Sequence, residues 1–191
     1  ITHFNSKNNK YTTLKRSTLI NFLKKDLEDQ IKTGYKISQI NELDKKIKLS
    51  FENNETQECD YLIISDGVFS KSKNLILNKK TQPKYNDTLA IRGILTKSLK
   101  NIDNKNISLF LGPNFHQVIY PVNTSGDLNL ITIIKYKLSI NDQKNYSLFN
   151  DNFFIKKVLE KIPSRNKDYL NNLKELKIFP VFVSNSFYKL Q

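Results

Sequence analysis

The sequence predicts a mixed α/β (α+β) chain in two parts: strands and helices up to about residue 80, then a mostly antiparallel part. Three observations carry that expectation. An amphipathic helical period over 14–31 leads into short alternating strands. The run Tyr61-Leu62-Ile63-Ile64 is apolar throughout, as in a strand buried on both faces of a parallel sheet. From Tyr85 the texture changes to longer strands joined by tight turns.

In chain order, Leu14, Leu19, Phe22, Leu23, Leu27 and Ile31 recur every three to four residues with Lys and Asp between them. Ser17 or Thr18 is the candidate N-cap, and Gly34 the stop. Two strands follow, 35–41 and 45–51. The second alternates Ile47, Leu49 and Phe51 with Lys46, Lys48 and Ser50, as a half-exposed strand does. Glu52-Asn53-Asn54-Glu55 turns into another strand. After Tyr61–Ile64, Asp66-Gly67 stops the run and 70–77 reads as a short basic helix. An antiparallel meander of about four strands is expected at 85–97, 107–111, 115–122 and 127–138. Gly112-Pro113-Asn114 and Asn123-Thr124-Ser125-Gly126-Asp127 are its turn sequences. Two helices at 153–162 and 166–176, split at Pro163, precede a last strand at 178–183.

With 38% hydrophobic and 11% aromatic residues the chain carries enough apolar side chain for a packed core, which argues against disorder. No apolar run reaches the roughly 20 residues that cross a bilayer. Lys and Arg number 31 against 18 Asp and Glu, a net charge of +13. A basic nucleic-acid-binding module would show clustered Arg and exposed aromatics. Here the cations are nearly all Lys, evenly spread, and the Phe and Tyr alternate inward, so no nucleic-acid partner is expected. The Lys-rich surface does permit peripheral contact with an anionic membrane. One cysteine, Cys59, and two isolated histidines, His3 and His116, leave no disulfide and no Cys/His metal cluster, which suits a reducing, cytoplasmic setting. The absence of any Met leads to the expectation that the chain begins inside a longer reading frame.

The stretch Cys59 to Lys73 is where chemistry is expected. A buried strand ending in Asp66-Gly67 delivers a carboxylate and bare backbone to the carboxyl edge of a sheet, where open α/β sheets bind ligands. Gly67 would let a phosphate approach with no Cβ in the way. The plainer reading is an ordinary Asp-Gly turn. The stretch resembles the internal D-x-x-x-x-A-D-G-x-x-S-x-x-R signature of FAD-dependent aromatic-ring hydroxylases, the group typified by para-hydroxybenzoate hydroxylase. It matches at Asp60, Asp66, Gly67 and Ser70, and departs at Ile64, Ser65 and Lys73. Arg16-Ser17-Thr18-Leu19 with Leu23 resembles the family's R-x-x-L-x-x-x-L helix start, and Ile37-Ser38-Gln39-Ile40 the strand whose backbone touches the adenosine of FAD. Ala90-Ile91-Arg92-Gly93-Ile94-Leu95 and Gly112 through Val122 resemble the A-x-R-G and G-P-x-x-H-x-x-x-Y-P segments of its substrate domain.

The resemblance implies a partial Rossmann-like FAD-binding domain over 1–80, a substrate-binding domain over 81–184 with a mostly antiparallel sheet, and a return to the FAD-binding domain at 185–191. It implies FAD as cofactor, with Arg16, Ile37, Asp66 and Gly67 as cofactor-binding residues. NAD(P)H is the implied co-substrate, O2 the oxygen source, and an aromatic or prenylated aromatic small molecule the substrate. The five glycines form no G-x-G phosphate cradle, and the family's second Gly-Asp motif would fall beyond Gln191, so truncation at both ends is expected. A flavin-dependent reductase or halogenase shares these features. Arg92 reads as a salt-bridged edge residue or as a group lining the nicotinamide path, the former favoured, and His116 as a surface or hydrogen-bonding histidine. No nucleophile–base pair is visible, so no catalytic residue and no metal ligand is assigned, and the oligomeric state is not written in the sequence.

Overall fold

The computed structural model describes residues 12–96, 102 and 105–184. These divide into two compact units: the chain up to Leu23 with Asp87–Val181, and Lys24–Asn86 with the residues from Phe182.

The larger unit is built on a five-stranded sheet. Its strands are β4 (Lys84–Leu95), β5 (Ser108–Gly112), β6 (Phe115–Pro121), β7 (Leu128–Lys135) and β8 (Lys174–Val183), in the order β5-β6-β7-β4-β8. Strands β5, β6 and β7 are successive antiparallel hairpins, and β4 pairs antiparallel with β7 from Thr88↔Lys135 to Leu95↔Leu128. The expected meander is thus present, with β8 added as a fifth strand.

Turn chemistry sets the hairpins. Pro113-Asn114 closes Gly112↔Phe115 as a two-residue loop, with Asn114 left-handed at φ 66°. Pro113 cannot take positive φ, so this turn is not of the primed kind that two-residue hairpins favour. Gly112 is required here by packing: a Cβ would lie 2.2 Å from the Phe115 ring. At the next turn Asn123 and Asp127 bond each other reciprocally, side chain to side chain at 2.7 Å and amide to Asn123 Oδ1 at 3.0 Å.

One sheet face is covered by α3 (Asn152–Leu159) and α4 (Ser164–Leu170). Leu89, Ile91, Leu95, Ile119, Leu128 and Leu130 from the strands are almost wholly buried against Phe154, Val158, Ile162 and Leu170. Each such side chain contributes roughly 1.5–3 kcal/mol through removal from water. Asp151 starts α3 by accepting from the Phe154 amide at 2.7 Å. Helix α4 ends at Leu170 and β8 begins at Lys174, so the helix expected over 166–176 stops six residues early. Residues 171–173 turn the chain, and from Lys174 pairing with β4 overrides the helical period.

The smaller unit carries an antiparallel sheet of β1 (Ile37–Glu42), β2 (Ile47–Phe51) and β3 (Thr56–Cys59), in that order, and α2 (Ser72–Ile76). Tyr85 and Phe182 also belong to it, with ring centres 5.9 Å apart, and Phe69 lies 5.2 Å from Phe182. Helix α1 (Arg16–Lys24), which up to Leu23 belongs to the larger unit, is shorter than the 14–31 period suggests, because Asp26 turns left-handed (φ 70°) and only a 3-10 turn follows at Glu28–Gln30. None of its side chains is buried; Phe22 is 72% exposed.

The largest departure from expectation is Tyr61–Ile64. This run pairs with no strand among the described residues, and Tyr61 and Ile63 are each 89% exposed. A parallel strand draws its partners from distant chain segments across a crossover. The unit's described strands are all antiparallel neighbours, so the run has no partner there. The aromatics likewise divide: Tyr85, Phe115, Phe149 and Phe154 point inward, whereas Phe22, Tyr61, Phe69, Tyr146 and Phe153 are exposed. The expected inward placement therefore holds for some of the aromatics and fails for the others. No helix among the described residues is long and apolar enough to cross a membrane.

Candidate functional site

Side chains alternate across a strand, so the sheet face opposite α3 and α4 presents the residues between the core positions. Register aligns Ile94, Asn129 and Tyr120 in one row and Arg92, Ile131 and Val118 in the next. The start of α1 joins this face, where Lys15 Nζ lies 3.5 Å from Asp127 Oδ2. Together they line a groove of about 920 Å³ that includes Arg16, Arg92, Ile94, Tyr120 and Asn129.

The polar groups of the groove are unequally satisfied. Arg92 lies over the Phe179 ring of β8, guanidinium carbon 6.0 Å from its centre, a cation–π contact that restrains the side chain. It makes no ion pair among the described residues, and β4 runs between β7 and β8. The favoured reading of Arg92 as a salt-bridged edge residue is therefore corrected: it is a groove-lining cation on an interior strand. Asn129 is 7% exposed and its Nδ2 has no hydrogen-bond partner among the described residues. An orphaned buried donor of this kind costs about 1–3 kcal/mol. Asn129 and Phe179 were not singled out from the sequence, and Tyr120 entered only as the Tyr of the G-P-x-x-H-x-x-x-Y-P resemblance. The available signal was Asn129 between Leu128 and Leu130, one amide inside an otherwise apolar strand run. His116 is exposed on β6, opposite Ile133.

A second cleft, of about 460 Å³, lies in the smaller unit around Ile64, Ser65, Asp66, Gly67, Ser70 and Lys73. Asp66 does not stand free in it. Its Oδ2 accepts from the Ser72 amide at 3.1 Å, while Ser70 Oγ accepts from the Lys73 amide at 2.9 Å. The two side chains satisfy amides at the start of α2 that have no partner within the helix. Partial burial pushes the Asp66 carboxyl upward, but hydrogen bonds from Ser70 and Ser72 outweigh it and hold the group below the ordinary aspartate value. Gly67 has φ 82°, and a Cβ there would meet nothing within 4 Å. Backbone conformation therefore demands the glycine, and its open side faces free space.

The four expected cofactor residues are divided between the units. Arg16 lines the groove of the larger unit, exposed and without an ion pair among the described residues. Asp66 and Gly67 share the cleft of the smaller one. Ile37 opens β1, an outer strand, paired with Phe51 and followed by a register shift before Gln39.

The fold is found in solved structures. HpxO of Klebsiella pneumoniae, crystallised with FAD and uric acid, aligns with 90% of this chain and 44% of its own at a TM-score of 0.73 and 14% identity. A salicylate hydroxylase substrate complex aligns with 87% of this chain and 45% of its own, at 0.65 and 20% identity. The 2,6-dihydroxypyridine-3-hydroxylase of Arthrobacter nicotinovorans aligns with 78% and 44%, at 0.60 and 15% identity. The fold is that of part of a flavin-dependent hydroxylase. The chain spans less than half the length of each of these three proteins. No protein-family model matches it, and no curated protein does. The hydroxylase fold was expected from the order of short motifs, none of which is distinctive alone.

Proposed function

We propose that this chain is the central part of an FAD-dependent monooxygenase that hydroxylates an aromatic or prenylated aromatic small molecule with NAD(P)H and O2. One observation carries the reading: the hydroxylase fold covers nine-tenths of the chain, and within it Arg16 and the Asp66-Gly67 bend each line a cleft. Residues 1–80 are then a partial FAD-binding domain, 81–184 the substrate-binding domain and 185–191 the return to the former.

The residues present fit a dinucleotide cofactor. Arg16, without an ion pair among the described residues, offers a guanidinium suited to an electron-rich flavin edge or a phosphate. Gly67 leaves backbone amides open to a pyrophosphate, and Asp66 fixes the bend that presents them. Ile37, on an outer strand, has main-chain groups available to an adenosine. Bound FAD, reduced by NAD(P)H, supplies the electrons and activates O2 for transfer of one oxygen atom to the ring. The chain's own part is to position and enclose. Ile94 and Val122 offer apolar wall to a planar ring, Tyr120 and Asn129 offer hydrogen bonds, and Arg92 offers charge. We place the protein in the cytoplasm, with a Lys-rich surface that permits contact with an anionic membrane.

The full-length parent is expected to purify yellow and to show NAD(P)H-dependent oxygen uptake. Arg16→Ala in that parent is expected to weaken FAD binding about tenfold, the loss of one charge-assisted contact. A colourless parent that takes up no FAD on reconstitution overturns the proposal.

A further inference from the structure

We infer that two copies of this chain associate through β5, the outer strand of the five-stranded sheet, which pairs antiparallel with the partner's β5 about a two-fold axis at Phe110. The contact forms whether or not the parent carries a flavin.

Three features of this edge point to a second copy. The first is charge. From Asn106 to Gly126 the sequence holds no Asp, Glu, Lys or Arg, although 26% of the chain is charged. Natural sheets guard an outer strand with charges, Lys above all, and β5 carries none. Two chains of net charge +13 repel where their lysines meet, and along this hairpin there are none to meet. A charged partner would find nothing here to pair with. The second feature is an apolar row that runs to the edge and stops. Leu109 and Leu111 are 56% and 68% exposed on the face away from α3 and α4. Leu109 stands opposite Val118, and Val118 opposite Ile131. Register is the third. A two-residue loop closes on a hydrogen-bonded pair, so Gly112, Phe110 and Ser108 direct their main-chain groups to β6. Those of Leu109 and Leu111 point off the sheet, and no loop residue among those described bonds to them. Pairing about Phe110 sets Leu109 opposite the partner's Leu111 and Leu111 opposite the partner's Leu109. The outward amides and carbonyls are then matched, and the leucines of both copies meet on one face. A register shifted by one residue would oppose an outward group to one already bonded to β6. The contact is smaller than the roughly 1,200 Å² of a stable complex, so a weak dimer is expected, with Kd about 10–100 μM.

Sedimentation equilibrium of this chain, from about 5 μM to about 500 μM, tests the inference. A monomer–dimer equilibrium is expected. It should strengthen about threefold as salt rises from about 50 to about 500 mM, because screening relieves the repulsion between two cationic chains. Leu109→Lys and Leu111→Lys, both at exposed positions, are each expected to weaken the dimer about tenfold and to leave the melting temperature within about 2 °C. Crosslinking reads the register, in a Cys59→Ser background. A mixture of Leu109→Cys and Leu111→Cys chains is expected to form interchain disulfides about tenfold faster than either chain alone. Directly opposed Cα atoms lie about 5.5 Å apart, whereas diagonal ones lie about 7–8 Å apart, beyond disulfide reach. A chain that stays monomeric at about 500 μM overturns the inference. So does a dimer that weakens with salt, or single-cysteine chains that crosslink as fast as the mixture. A dimer that survives both lysine substitutions, as association through Tyr61–Ile64 would, overturns it as well.

Discussion

Asn166 Nδ2 donates to Gln117 Oε1 across 2.9 Å, joining α4 to β6 between two side chains that are wholly buried. Gln117 Nε2 passes the contact on to Thr132 Oγ1 of β7 at 2.8 Å. A helix is thereby fixed in register on the sheet by a polar relay inside an apolar core. Such a relay specifies one docking geometry, where aliphatic contacts alone would tolerate sliding.

Gln117→Leu strands Asn166 Nδ2 and the Thr132 hydroxyl without their partner. The expected cost is about 2–4 kcal/mol, read as a lower urea midpoint with unchanged slope. Adding Asn166→Leu should recover part of it. Independent, additive losses would show that the two amides do not act as a unit.

Gly112→Ala drives a methyl into the Phe115 ring and is expected to destabilise the larger unit by about 1–3 kcal/mol. Asn114→Gly, at a left-handed position two residues on, should change stability by no more than about 0.5 kcal/mol. Equal effects of the two changes would contradict the packing account of Gly112.

The Asp66 carboxyl titrates below the ordinary aspartate value of about 3.9, so its stabilising form is the ionised one. Its contribution is complete above that value and disappears as pH falls through the folded one. Protection of the Ser72 amide against exchange, taken relative to the intrinsic rate at each pH, should therefore fall on acidification in this range, and Asp66→Asn should remove that loss. A Ser72 amide indifferent to acid would refute the assignment.

Tyr61→Ser and Ile63→Ser remove highly exposed side chains, so the unfolding free energy of this chain should hold within about 0.5 kcal/mol. In the proposed full-length flavoprotein the same changes should cost about 1–3 kcal/mol each, because a paired strand would bury them. Equal tolerance in both would remove the case for a completed parallel sheet.

Sequence patterning gave a faithful picture of the larger unit. The β4–β7 ladders follow period-two runs and strong turn residues, which are local causes. Helices failed at their ends. Asp26 adopts a left-handed angle that its identity does not announce, and 174–176 changed state under the pull of β4. At the candidate site, Arg16 and Asp66-Gly67 were visible as motif fragments. The orphaned amide of Asn129 was not, because satisfaction of a buried donor depends on three strands at once. Tyr61–Ile64 shows the reverse: its pattern states a burial that only remote chain can provide.

That bare stretch has a practical consequence for handling the molecule. An extended hydrophobic ribbon whose main-chain donors and acceptors pair with no strand among the described residues will recruit whatever β-former it meets, including its own copies. Concentrated stocks should thus grow sticky through this ribbon, and a short peptide able to lie alongside it should act as a chaperone, keeping the stocks clear.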